Sequence, residues 1–271
     1  MYLAVDIGGT KTLLAAITQS GKIHASRKFD TPKIYAQFLK LLEENIKALD
    51  CDFLSGVVGA PGKIDRKIGV VIAFGNLDWK NIPLLDDVES IAQCPMHVEN
   101  DTKLAGLSEA IYIKDEFKKV LYVTISTGIN SALIVNGVID EDLIDSESGD
   151  MLFEHDGKLQ KWESFASGKA IVEKYGKRAS EITSAKDWVA ISRNIALGLI
   201  NLIAVIQPDA IIIGGGVGSH FKKFQAPLHD RLKQLEMPIV PIPPIRGARR
   251  PEEAVIFGCY YLAKSYDEKA N

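Results

Sequence analysis

The sequence predicts an α/β protein of two related lobes, and three observations carry that prediction. Short apolar strands alternate with amphipathic helices; the order three strands, helix, strand, helix begins again near Val120; and each half opens on an apolar strand ending in a glycine- and hydroxyl-bearing turn. The two turns are Asp6-Ile7-Gly8-Gly9-Thr10-Lys11-Thr12 and Ser126-Thr127-Gly128. No short-period repeat is visible, so the recurrence is one of architecture rather than an array. With 271 residues, 46% of them hydrophobic, the chain is long enough for two cores. The expected lobes are 1–114 with 251–271, and 115–250, with a cleft between them.

The first lobe begins as a three-strand meander over 2–28, with a second turn at Gln19-Ser20-Gly21-Lys22. Thr31 as N-cap and Pro32 as the first helical residue then open a helix, whose Phe38, Leu41, Leu42, Ile46 and Leu49 make one buried stripe. Strands are predicted at 53–59 and 96–99, and a helix at 101–111. In the second half, strands at 121–126 and 129–135 flank Thr127-Gly128, and Asn136-Gly137 signals a hairpin into Val138-Ile139. Helices follow around 163–175 and 188–206, then a strand at 209–213 running into Gly214-Gly215-Gly216, then a helix over 220–235. A last helix over 251–264 is expected to pack back on the first lobe.

A formal net charge of −3 gives no global attraction to nucleic acid or to an anionic membrane. The three cysteines, Cys51, Cys94 and Cys259, are far apart and form no C-x-x-C pair, which excludes a disulfide framework or zinc knuckle and points to a reducing compartment. The N-terminus reads as a strand rather than a leader, and no run is expected to approach a membrane span, so the expected location is cytoplasmic.

The first turn is built for a phosphate and its metal ion, with ATP the expected source. Glycines let the backbone approach a phosphoryl group, turn N–H groups and Thr10 donate to it, and Asp6 calls for magnesium between carboxylate and phosphate. At Val98-Glu99-Asn100-Asp101 a carboxylate stands beside an amide at a strand-to-helix junction, where Asp101 can take a proton from a substrate hydroxyl that Asn100 orients. The competing role for Asp101 is a helix N-cap. The glycines at 214–216 allow a flat adenine-ribose unit to lie close, although neither a G-x-G-x-x-G fingerprint nor a P-loop is present. Gly75-Asn76-Leu77-Asp78-Trp79, Glu147-Ser148-Gly149-Asp150 and Glu163-Ser164 offer amides, an indole and carboxylates suited to a polyhydroxylated ligand. The five histidines are scattered without metal-ligand spacing.

Taken in order, these motifs resemble the ROK family of sugar kinases over most of the chain. The resemblance implies the actin-like ATPase (ribonuclease H-like) fold, a duplication whose lobes close over ATP and substrate. It implies a first phosphate motif at Asp6, Gly8, Gly9, Thr10 and Lys11, with Asp6 holding magnesium through water. Thr127 and Gly128 match the second phosphate motif, Gly215 and Gly216 the adenosine motif, and Asp101 the catalytic base. Asn76, Asn100, Asp101, Glu147, Asp150 and Glu163 fall where the family binds its sugar. The implied reaction is ATP-dependent phosphorylation of a hydroxyl of a hexose or related sugar. Its partners are small molecules, with a homodimer left open.

Two features depart from the family pattern. Asp150 stands where members carry the histidine of Glu-x-Gly-His, and residues 151–162 contain none of the cysteines of the usual zinc segment. No zinc is therefore expected. Asp150 would also set a second carboxylate beside Glu147, favouring ligands rich in donor hydroxyls or an amino group over acidic sugars. Two other readings remain: a kinase of a non-sugar substrate on the same fold, and a non-catalytic sugar sensor. Sensors of this family carry an added helix-turn-helix segment, which is not expected ahead of Met1.

Overall fold

The computed structural model describes residues 1–270. The chain forms two compact units, Met1–Ser108 with the chain from Glu252 on, and Glu109–Pro251. The expected boundary after residue 114 lies beyond the observed one because a single helix runs through the junction.

The first unit contains β1 (Tyr2–Ile7), β2 (Lys11–Ile17), β3 (Ile23–Asp30), α1 (Tyr35–Lys47), β4 (Ser55–Ala60), β5 (Gly62–Asp65), β6 (Val70–Phe74), β7 (Lys80–Ile82), α2 (Leu84–Ala92), β8 (Met96–Asn100) and α3 (Asp101–Ile111). Its main sheet has the order β3-β2-β1-β4-β8, with β1, β4 and β8 parallel and β2 antiparallel to its neighbours. Apart from Asp6 in β1, the residues of the central strands β1 and β4 are buried, because both faces are covered, as expected of parallel strands. Their register sets Asp6, Gly59 and Glu99 in one row across the C-terminal ends of the strands, the edge where α/β sheets hold ligands.

Three expectations here need correction. The helix predicted from Thr31 starts at Tyr35, and Ile34 occupies the N-cap position without a side-chain cap. The small sheet β5-β6-β7 and the helix α2 were not anticipated, because their short strands carry no sustained period. Trp79, offered as a ligand-binding indole, is a core residue. It packs against Tyr35, Phe38 and Phe74, and its Nε1–H donates to the Lys33 carbonyl at 2.7 Å.

The second unit contains β9 (Lys119–Ile125), β10 (Ile129–Val135), β11 (Val138–Ile139), β12 (Leu152–His155), β13 (Lys158–Lys161), α4 (Glu163–Ala166), α5 (Gly168–Tyr175), α6 (Ala185–Ile206), β14 (Ala210–Gly214), α7 (Gly215–Gly218), α8 (Phe221–Leu235) and β15 (Ile245–Gly247). Its sheet order is β11-β10-β9-β14-β15, with β14 parallel to both β9 and β15. Strand for strand, order and direction repeat those of the first unit. The Asn136-Gly137 turn has positive φ at both residues, as its hairpin requires. The chain then returns to the first unit as α9 (Ala254–Ala270), where Ile256, Cys259, Tyr260 and Ala263 share a core with Tyr2, Ala4 and Val57.

The helix predicted over 163–175 is broken at Ser167, whose hydroxyl caps α5 by accepting the Ala170 N–H. At 22 residues, α6 is long and apolar enough to cross a membrane by length and composition, contrary to the expectation that no run approaches a span. Its Trp188, Ile191, Ile195, Leu199 and Leu202 belong to the core of this unit, and Trp188 stacks on Phe224 of α8.

Where the resemblance implies a cysteine-rich segment, the chain forms the hairpin β12–β13, closed at Asp156-Gly157. It ends in Trp162, which is fully buried, lies against Gly198 of α6 and donates to the Asn194 carbonyl at 3.1 Å. Trp162→Ala is expected to destabilise the protein by about 3–5 kcal/mol in urea titrations. Leu159→Ala, on the exposed face of the hairpin, is expected to stay within about 0.5 kcal/mol of the parent.

Candidate active site

The first turn is short because Gly8 N–H donates to the Lys11 carbonyl at 2.9 Å, so Gly9 and Thr10 carry the backbone donors left for a ligand. Neither Gly8 nor Gly9 has positive φ. Gly9 is needed for closeness: a Cβ there would come within 2.6 Å of Asn76 Cβ, so Asn76 lies directly against the turn. Thr31 holds the turn from behind. Its N–H donates to the Thr10 carbonyl at 2.9 Å, its hydroxyl donates to the Gly8 carbonyl at 2.8 Å, and it meets the Thr12 hydroxyl at 2.9 Å. The residue expected to cap a helix thus fastens the candidate phosphate turn. Lys11 is exposed and pairs with Asp30.

At the end of β8, Asn100 is buried and takes the capping role that competed for Asp101. Its Oδ1 accepts the N–H groups of Thr102 at 3.0 Å and Lys103 at 3.3 Å, and its Nδ2 donates to the Gly62 carbonyl at 3.2 Å. Asp101 is thereby freed from the cap. Its Oδ1 accepts from the Thr102 N–H and hydroxyl, while Oδ2 has no hydrogen-bond partner among the described residues. Glu99 is buried in a bidentate pair with Arg66, at 2.8 and 2.5 Å, and its Oε1 also accepts the Asn100 N–H at 2.6 Å. Arg66 was not singled out in the sequence, and Thr31 only as a helix cap, since each acts through a contact distant along the chain.

Asp6 and Asp101 face each other closely enough to repel. Burial, and then the charge of Asp101, push the Asp6 carboxyl up to about 7, with Lys28 opposing. Burial also raises Asp101, against the lowering effect of Thr102 and Lys103.

In the second unit, Glu163 joins three motifs. A Cβ on Gly128 would approach Glu163 Oε2 to 2.6 Å and one on Gly149 to 3.1 Å, while Ile129 N–H donates to that oxygen at 3.3 Å. Glu147 is exposed and accepts from Asn130 Nδ2 at 2.8 Å. Asp150 departs from expectation: its carboxylate pairs with Lys161 at 2.8 Å across the base of the β12–β13 hairpin. Its charge is matched by a lysine, so it is not the lone second carboxylate on which a bias against acidic sugars was argued.

Gly215 has positive φ, and a Cβ there would meet the Ile125 carbonyl and Thr124 Oγ1 at 2.6 Å, so the chain after β14 tucks under the end of β9. Gly216 faces open space. Thr127 and Gly216 line one cavity of about 650 Å³, together with Ser126, Lys169, Val172, Arg178, Ser180 and His220. That volume suits a nucleotide-sized ligand. Another cavity, of about 640 Å³, lies between α8 and residues 242–245 and holds none of the motif residues. Among the described residues no group of three or more His, Cys, Asp or Glu side chains is arranged to hold a metal ion.

Two units with the same five-strand plan, each carrying a glycine turn after its first strand, have the two-lobed actin-like ATPase fold. The chain belongs to the ROK family, whose sequence profile matches residues 2–266. It is similar to the N-acetyl-D-glucosamine kinase of Salmonella paratyphi C, 25% identical over 302 residues, covering 97% of this chain and 99% of that protein. In structure it resembles a ROK family glucokinase from Streptomyces griseus in complex with glucose and AMPPNP, with a TM-score of 0.82 at 23% identity, covering 97% of this chain and 99% of that one. It also resembles a ROK family transcriptional regulator homologous to the E. coli MLC protein, with a TM-score of 0.84 at 18% identity, covering 97% of this chain and 77% of that one.

The raised carboxyl of Asp6 has a stability consequence. Between the ordinary carboxylate value of 3.8 and about 7 the folded state binds more protons than the unfolded, so this group's contribution to stability falls as pH rises through that window. Asp6→Asn is expected to melt several degrees above the parent at pH 8, with the gap closing toward pH 4. Thermal scans across that range check it.

Proposed function

We propose that the protein is an ATP-dependent kinase that phosphorylates a hydroxyl of a hexose or related sugar, with Asp101 as general base and a cytoplasmic location. The observation that carries the reading is the division of labour at the end of β8: Asn100 caps α3, leaving Asp101 Oδ2 free to accept a proton. Asp6 fits a magnesium ion held through water, because a divalent cation relieves both the burial and the facing negative charge that raise its carboxyl. When bound, such an ion bridges and neutralises the donor phosphates. Gly9 and Thr10 offer turn donors for a phosphoryl group, and the cavity lined by Thr127 and Gly216 suits the nucleotide. Asn76, Asn100, Glu147 and Glu163 are the proposed sugar contacts, with Asn100 contributing the Nδ2 hydrogen not engaged by Gly62.

Asp101→Asn is expected to lower turnover by about 10²- to 10⁴-fold while sugar and nucleotide affinities stay near those of the parent. ADP release over a panel of sugars and amino sugars, with calorimetric binding in parallel, measures both. Near-parental turnover removes Asp101 as the base. Asp6→Ala is expected to reduce magnesium-dependent turnover far more than sugar affinity; equal losses of both would indicate damage to the fold.

A sugar sensor without turnover is the second reading, favoured by the likeness to the transcriptional regulator. It requires tight sugar binding with no ADP release for any sugar in the same panel.

A further inference from the structure

The walls of the cavity in the second unit are unusual for a site that must read a nucleobase. Resting on the assignment of this cavity to the phosphoryl donor, we infer that it recognises its ligand by charge, through Lys169 and Arg178, and selects only weakly among nucleobases. Telling adenine from guanine by hydrogen bonding needs a fixed donor or acceptor at the base edge, because the two bases exchange an amine donor for a carbonyl acceptor. Among side chains, accepting adenine's amine while refusing guanine's carbonyl falls to carboxylates and amide oxygens, and among the described residues lining the cavity there is no Asp, Glu, Asn or Gln. The hydroxyls of Ser126, Thr127 and Ser180 turn to donate or accept as required. Val172, Ala179 and Val217 present apolar surface that any base can lie on.

The charged side chains of the lining are both cationic. Arg178 stands just before the turn at Ala179–Glu181, where its backbone N–H donates to Glu181 Oε2 at 2.8 Å, and its side chain lines the cavity. Lys169, in the first turn of α5, has a side chain 70% exposed and only a loose pairing with Glu173 at 4.0 Å. His220 is held below the usual imidazole range by burial, with Lys223 adding to it, and is neutral near pH 7. The two cations are thus available to an anion, and a guanidinium can also stack on a base whatever its edge pattern.

The chemistry is unchanged by the choice of base. The donor's terminal phosphorus–oxygen bond breaks, the sugar oxygen bonds to that phosphorus, its proton passes to Asp101, and the nucleoside diphosphate leaves. Sites built to hydrogen-bond a specific group discriminate by about 10⁴–10⁵, far beyond what walls without such groups achieve.

The test is calorimetric titration of the full chain with the magnesium complexes of ATP, GTP and UTP, together with donor KM and kcat under saturating sugar. Affinities within about tenfold of one another are expected. Lys169→Gln and Arg178→Gln are each expected to raise the KM of all three donors by a similar factor with little change in kcat. Inorganic tripolyphosphate is expected to displace ATP competitively. A preference for one base above about tenfold, variants that affect one nucleotide alone, or failure of tripolyphosphate to compete overturns the inference while leaving the kinase reading intact. Binding of no nucleotide at all overturns both.

Discussion

The constraint on which the first unit depends is the enforced approach of two like charges, Asp6 at the end of β1 and Asp101 at the start of α3. Left to itself such a pair moves apart or protonates, and the Asp6 carboxyl is raised by burial first and by the charge of Asp101 second. Several contacts oppose the separation. The register of β1, β4 and β8 fixes the strand ends in one row. Asn100 ties α3 to β5 through Gly62, and Arg66 grips Glu99 from the turn after β5. A buried ion pair such as Arg66–Glu99 adds little net stability over an apolar pair, yet breaking it is costly, so its value here is in specifying one arrangement of the small sheet beside β8.

The duplicated plan then divides the chemistry. Both units present a glycine turn between their first two strands, but the surroundings differ in sign. Carboxylates stand by the turn of the first unit, where the proposed reaction would use a metal ion and a proton acceptor. Hydroxyls and two cations line the cavity by the turn of the second, where an anion would sit. One topology thus supplies two electrostatic environments, because the strand ends are fixed by the backbone while the side chains there are free to vary.

The parts of this arrangement visible in the sequence were local ones. Asp6-Ile7-Gly8-Gly9-Thr10, the apolar strands around it, Asn100-Asp101 and the Asn136-Gly137 hairpin announce themselves by adjacent residues whose geometry is limited by sterics. Thr31-Pro32 misled for an instructive reason: the same hydroxyl that makes a good N-cap is equally good at bonding the carbonyl of Gly8, in a turn distant along the chain, and tertiary context chose the latter. Arg66 and Glu99 lie 33 residues apart and carry no shared pattern. Lys169 and Arg178 read in sequence as ordinary surface cations, and only the cavity gives them a direction. Asp150 could not be paired from the sequence, because its partner Lys161 comes from the far strand of a hairpin that was not foreseen.

That hairpin also shows how a segment can be ordered by different means at the same place in a fold. The family pattern has a cysteine-rich stretch here that the sequence lacks, and this chain forms a four-pair antiparallel ladder between β12 and β13. A two-stranded hairpin is marginal alone, so its order must come from what it is packed against. Trp162 supplies the anchor at one end, and His155 stacks on Phe165 with ring centroids 4.1 Å apart at the other. Gly198 completes the fit from α6, since a Cβ there would come within 2.0 Å of the indole. Because Glu163 follows Trp162 directly and reaches under the Gly128 turn, the seating of that indole sets the position of a proposed sugar contact as well as the stability of the unit.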